Sequence, residues 1–221
     1  MPSWVREVVE EVAFQARADR RIDKRSGVSQ RMPISVIETV ASNAERRSLV
    51  AGETPVVARV SDIYAALPSM TGKFELEYEG EIKGADFIAR ELIRSSVANV
   101  FQPIADDFDA APIVDWFDRG GTLPMDDTLG ADELLARAAR VPRLIDSTRA
   151  LGVDERASAP LRASAIELVL EGLAATKRIS RSDEHGYQAA ESAAPRRPSR
   201  REEPSMDDMP QVPGGRKKYY N

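Results

Sequence analysis

GVSQRMPISVIETVASNAERRSLVAGETPVVARVSDIYAA, residues 27–66, holds the most informative pattern in the chain. A turn, Gly27-Val28-Ser29-Gln30-Arg31, leads into a helix predicted from about Met32 to Val50. Ser29 is placed to cap its start, Pro33 suits its first turn, and Gly52 lies just past its end. Ile34, Ile37, Val40, Ala41 and Ala44 recur at three- and four-residue spacing and form the expected buried face. Arg46 and Arg47 fall on the expected exposed side. After an extended piece, TPVVARV, Ser61 is placed to cap a third short helix, DIYAAL, stopped by Pro68.

Outward from this stretch, the chain continues to read as helix. Trp4, Val5, Val8, Val9, Val12, Ala13 and Ala16 make one face of a helix opposite Glu7, Glu10, Glu11 and Arg17. A helix that starts so abruptly after Met1 implies further sequence upstream. Residues 19–30, DRRIDKRSGVSQ, form a charged loop. Toward the C-terminus, KFELEYEG alternates Phe74, Leu76 and Tyr78 with charges, the period of a half-buried strand. In that extended form Glu75, Glu77, Glu79 and Glu81 share one side, a solvated face or an acidic docking edge. A long helix from Gly84 carries Phe87, Ile88, Leu92, Val97, Val100 and Phe101 and ends near Pro103.

Residues 106–130 are acidic and turn-rich around a short helix at Ala111–Phe117. Helices follow at about Ala131–Arg140, Pro142–Leu151 and Pro160–Ile179, the last with a stripe of Leu161, Ala165, Leu168, Val169 and Leu173. From Ser182 onward the Pro, Ser, Arg and acid content predicts disorder, ending in the basic-aromatic GGRKKYYN. The expected organisation is therefore a helical domain over 1–68, an extended segment plus long helix over 69–105, a helical bundle over 106–181, and a tail over 182–221.

Composition sets outer bounds. With 42% hydrophobic but only 6% aromatic residues among 221, the chain is expected to be mainly α. A net charge of −5 gives no general attraction to nucleic acid or anionic membrane. The chain has no cysteine, so it has neither disulfides nor thiolate metal sites. No apolar run approaches the roughly 20 residues of a membrane span, and a cytoplasmic location is expected. The single histidine, His185, leaves no basis for a histidine-centred triad or metal site. Asp183–His185 is at best a weak metal cluster.

A P-loop is missing. Gly72-Lys73 imitates its end, but Phe74 stands where Ser or Thr would meet magnesium, and Leu67 where the first glycine belongs. Ile113-Val114-Asp115 resembles a Walker B strand end only faintly, with Trp116 in place of the second acid and Asp115 expected on a helix. No catalytic residue is expected in this chain, and no hydrolysis of ATP by it alone.

Arg31 is the one position where the pattern points to chemistry. A cation in the first turn opposes the positive end of a helix dipole and costs about 0.3–1 kcal/mol. The placement turns favourable when an anion arrives, because free N–H groups, dipole and guanidinium then converge on it. On residues alone, Arg31 also reads as a surface arginine at a helix start. Arg20, Arg21, Lys24 and Arg25 read as a solvated basic loop or a contact to a neighbouring subunit.

The order Gly27-Val28-Ser29-Gln30-Arg31, helix, SLVAGETP, ARVSDI resembles the lid of AAA+ ATPases of the magnesium-chelatase subunit I and MoxR-like family. There a G-x-S-x-R segment opens the sensor-2 helix. The FELEYEGEIKGADFIARELI segment extends the likeness, so that it covers about residues 1–105; residues 106–221 match nothing in it. The resemblance implies an AAA+ helical lid in which Arg31 is sensor 2, reaching nucleotide phosphates. It implies ATP and Mg2+ bound with a core outside this chain, a homo-oligomeric ring, and a protein partner or substrate remodelled by lid motion. Two other readings stand beside it. One is a non-enzymatic helical adaptor, and the other a transcription-related regulator, which the lack of a basic recognition face disfavours.

Overall fold

The computed structural model describes residues 1–126, 128–182 and 185–190. Its helical character follows the expected class. Helix α1 (Ser3–Ala18) buries Trp4, Val5, Val8, Val9, Val12, Ala13 and Ala16, the face its spacing predicts. That face lies mainly against α6 (Ala85–Ala105), whose inner side is Ile88, Ala89, Leu92, Ile93, Ser96, Val97 and Phe101. Phe87, expected in that stripe, is 47% exposed, and Pro103 sits inside the last turn instead of ending the helix.

Helix α2 (Met32–Ala51) has close to the predicted bounds, with Pro33 in its first turn and Gly52 in the left-handed conformation at its end. Its buried face differs from the expected one. Met32, Val36, Val40, Ala44, Arg47 and Ser48 point inward, while Ile34 is 59% exposed. Helix α3 (Val60–Ala65) starts one residue before Ser61, with Arg59 at the cap and its N–H bound by Asp62. Pro68 does not stop the chain. It occupies the first turn of α4 (Leu67–Thr71), which follows after Ala66.

The alternating KFELEYEG segment is not a strand. Val28 and Ile22 form isolated antiparallel bridges with Phe74 and Leu76, and the chain then coils into α5 (Tyr78–Lys83). With only the loop 19–29 beside it, the segment finds no second strand to extend the ladder. Two rungs satisfy the alternation of the buried Phe74 and the half-buried Leu76, and Tyr78 turns outward.

Beyond α6, α7 (Ala111–Asp118) and α8 (Ala131–Ala138) lie close to expectation. The helix expected over Pro142–Leu151 is shorter: α9 (Leu144–Ser147) runs into a 3-10 turn at Thr148–Leu151. Helix α10 (Ala159–Ala175) ends four residues early, because Lys177 takes a left-handed φ of 60° and the chain reverses. The reversal feeds an antiparallel hairpin of β1 (Ile179–Ser182) and β2 (Gly186–Ala189), in register Ile179↔Ala189 through Ser182↔Gly186. Disorder was expected from Ser182, yet Tyr187 of β2 is among the most buried side chains and bridges Leu123 as well. Gly186 has φ 69°, and a Cβ there would stand 2.2 Å from the Leu123 carbonyl, so the rung requires glycine. The remainder of the tail, including GGRKKYYN, lies outside the described residues.

Helix α10 is the hub. From Ala163 to Leu173 every residue is buried, so burial extends beyond the predicted stripe to all sides of the helix, with Ser164, Glu167 and Glu171 as its polar members. Ala165 and Leu168 join a core built mainly from α1, α2, α3, α4 and α6. Ala163, Ile166, Val169, Leu170 and Leu173 join a second core with residues of α7, α8, α9 and the hairpin. Gly172 leaves the volume that the Phe101 ring of α6 fills; a Cβ there would fall 2.1 Å from the ring.

Candidate functional site

Arg31 stands at the cap position of α2, with φ −81° and ψ −8°, and is exposed. Among the described residues its guanidinium makes no hydrogen bond or ion pair. The backbone around it is more committed than the sequence implies. Its own N–H reaches the Ser29 hydroxyl at 3.3 Å, the Met32 N–H is bound to the Ser29 carbonyl at 2.9 Å, and Pro33 has no N–H. An anion arriving here would therefore meet the guanidinium and the helix dipole, with little help from backbone donors.

The neighbouring cations divide. Arg21 is structural: it holds Asp19 at 2.6 Å and also pairs with Glu91 of α6. That hydrogen bond keeps the Asp19 carboxyl below its ordinary range. Lys24 caps the Arg17 carbonyl at 2.6 Å, while Arg20 and Arg25 are exposed. Gly72-Lys73 follows the short helix α4, and Phe74 is buried against Val28. Asp115 lies exposed on α7. His185 is in the hairpin turn, its N–H on the Ser182 hydroxyl at 3.1 Å; Asp183 and Glu184 lie outside the described residues. Among the described residues, no three His, Asp or Glu side chains gather as for a metal ion.

Behind α2 lies a buried charge cluster that no sequence pattern announces. Arg47, expected in solvent, is 1% exposed. Its guanidinium donates to the Val57 carbonyl at 2.7 Å, to Asp62 at 3.0 Å and to Glu53 at 3.1 Å. Arg59 donates to Glu53 at 3.0 Å and to the Leu129 carbonyl at 2.7 Å. Glu53 also accepts the Ala131 N–H at the start of α8. Asp62 accepts from Asn43 at 2.7 Å and from the Arg59 N–H at 2.8 Å. From α10, Glu167 accepts the Ser61 N–H at 2.5 Å, and Ser164 links the Trp4 indole to the Ala58 carbonyl. One cluster thus ties α2, the 53–62 segment, the start of α8, and α10 together. No local periodicity encodes it, because its pairs range from 3 to 160 residues apart.

Arg47 and Arg59 face Glu53, Asp62 and Glu167, which leaves one carboxyl without a matching cation. Glu167 is that group. Burial pushes its pKa up, the Arg59 charge only partly opposing, and its second oxygen has no hydrogen-bond partner among the described residues. Burial disfavours the Arg47 cation, but the Asp62 hydrogen bond and charge more than offset this. For Arg59 burial prevails and its pKa falls, though an arginine stays charged. Because the native state holds the Glu167 proton more tightly than the unfolded chain does, stability should fall as pH rises from about 4.5 through the raised native value. Glu167→Gln should flatten that part of the profile; urea midpoints measured across the range, identical in slope for both proteins, would disprove it.

No protein-family model, no curated protein and no solved structure matches this chain.

Proposed function

We propose that the chain is the nucleotide-responsive lid and accessory region of an AAA+ ATPase of the magnesium-chelatase or MoxR-like kind, with Arg31 as its phosphate-sensing arginine. The observation that carries it is an exposed guanidinium, without a partner among the described residues, at the start of a 20-residue helix. A planar fork of donors suits phosphate oxygens, and the dipole adds to the attraction. ATP and Mg2+ would be held by a P-loop core outside this chain, in a ring of like subunits, and the core would supply the phosphoryl chemistry.

Within this chain the work is mechanical. Attraction of Arg31 to the phosphates shifts α2, and the charge cluster on its inner face carries that shift to α3, α8 and α10 as one body. Loss of the γ-phosphate releases the contact, so lid position follows the nucleotide state. The motion would be delivered to a protein partner.

The test joins the chain to its core. Arg31→Ala is expected to lower ATP turnover at least tenfold, about 1.4 kcal/mol of lost stabilisation, with the helix content intact. Unchanged turnover would sink the sensor assignment. If no in-frame strand–loop–helix of the G-x-x-x-x-G-K-[ST] type precedes Met1 in the gene, the wider reading fails and a helical adaptor takes its place.

A further inference from the structure

Helix α5 buries none of its own side chains. Of its six residues only Gly80 is buried, and Tyr78, Glu79, Glu81, Ile82 and Lys83 are all exposed. A helix this short has no stability of its own in water. It is held by its backbone and flanks. The Glu77 N–H binds the Arg21 carbonyl at 2.8 Å, and the Asp23 N–H binds the Glu75 carbonyl at 2.9 Å. At Gly80 the approach is so close that a Cβ would stand 2.5 Å from the Arg21 oxygen. The chain is clamped onto the 19–29 loop while its larger side chains are turned out.

What it displays is specific in kind. Tyr78 and Ile82, one turn apart on one face, are 76% and 70% exposed. Phe87 follows at the start of α6, 47% exposed, with the Lys83 ammonium 5.8 Å from its ring centre. Between and beside them stand Glu75, Glu77, Glu79, Glu81 and Asp86. Glu75 accepts the Ser26 hydroxyl, but none of the five carboxylates is paired with a cation among the described residues. Acids in the first turn suit the helix dipole, which accounts for Glu79 and Glu81 in part. The dipole does nothing to explain an outward tyrosine and isoleucine. Exposed apolar anchors among five carboxylates, with Lys83 as the one cation of α5, have the anatomy of an interface core with a mainly acidic polar rim.

We propose that α5 and the first turn of α6 form a docking surface for a partner protein, through a basic segment that carries apolar side chains at helical spacing. Charge complementarity selects that occupant: an acidic rim steers cations and disfavours acidic or neutral chains, while Tyr78 and Ile82 anchor the apolar face. The inference stands apart from the nucleotide assignment of Arg31.

The test uses the full chain, isotope-labelled, titrated with a synthetic peptide of lysines and leucines at helical spacing. Controls are a polylysine of equal charge and a glutamate–leucine counterpart. Amide shifts should concentrate in residues 75–87, and affinity should fall about tenfold or more in Tyr78→Ala/Ile82→Ala, with circular dichroism unchanged. Glu77→Lys/Glu79→Lys/Glu81→Lys should weaken binding and remove its salt dependence. Equal binding of polylysine, shifts centred elsewhere, or retained affinity in the double variant would each overturn the proposal. So would a chain that does not bind the peptide but self-associates through Tyr78 and Ile82 in sedimentation, which would assign the surface to a second copy.

Discussion

Replacing Arg47 with alanine is expected to cost about 3–5 kcal/mol in equilibrium denaturation, because it strands buried carboxylates without their cation. Asp62 would lose its guanidinium partner, Glu53 would keep Arg59 and the Ala131 N–H, and the Val57 carbonyl would lose its Arg47 donor. The adjacent residue supplies the control. Arg46 is exposed and, among the described residues, reaches only Asn43, at 2.9 Å, so Arg46→Ala should stay within about 0.5 kcal/mol. Because Arg47 and Asp62 act as a pair, the double alanine variant should cost less than the sum of the single ones. A loss under about 1 kcal/mol for Arg47→Ala would place the guanidinium in solvent and dissolve the mechanical link proposed for α2.

Tyr187→Ala should cost a similar amount, about 3–5 kcal/mol, by emptying a buried aromatic site. The ring is 1% exposed, and its hydroxyl donates to Glu171 at 2.5 Å. Glu171 also accepts from Arg181, whose guanidinium carbon lies 5.9 Å from the Tyr187 ring centre and 5.1 Å from that of Tyr64. Burial, reinforced by the Glu171 charge, pushes the Tyr187 hydroxyl well above its ordinary range, so it remains a donor throughout the working range of pH. Tyr187→Phe keeps the packing and removes only the donor, and a smaller loss of about 1.5–3 kcal/mol is expected. Thermal melts of the two variants that match the unaltered protein would show the hairpin to be peripheral.

The residues themselves explain which parts were legible. Helix α1 was readable because its apolar positions lie on one side only, facing a polar one. Helix α2 was readable in extent but not in facing. Its apolar residues surround much of the cylinder, so a stripe through Ile34 and Ile37 competes with one through Met32, Val36 and Val40. What chooses between them is Arg47, whose partners lie in other elements. A lone arginine beside another arginine gives no local sign of burial. The hairpin was hidden for a related reason: β2 is short, polar and flanked by a sequence of tail-like composition, and its pairing with Leu123 is remote in sequence. Arg31 was legible as a position, at the start of a well-capped helix. The surrounding donors were not, since their commitment to Ser29 depends on turn geometry.

The doubly enclosed α10 has a consequence for how the molecule comes apart. The amides of its buried stretch, 163–173, cannot meet solvent while either apolar core persists, so they should exchange hydrogen only through events that disrupt both cores. Fraying of the 19–29 loop or of α5 would leave that clock untouched. Residues 1–190 would then unfold in a single cooperative step in spite of having two cores. Neither half could be excised as a stable piece, since each cut would take from the other the helix around which it condenses.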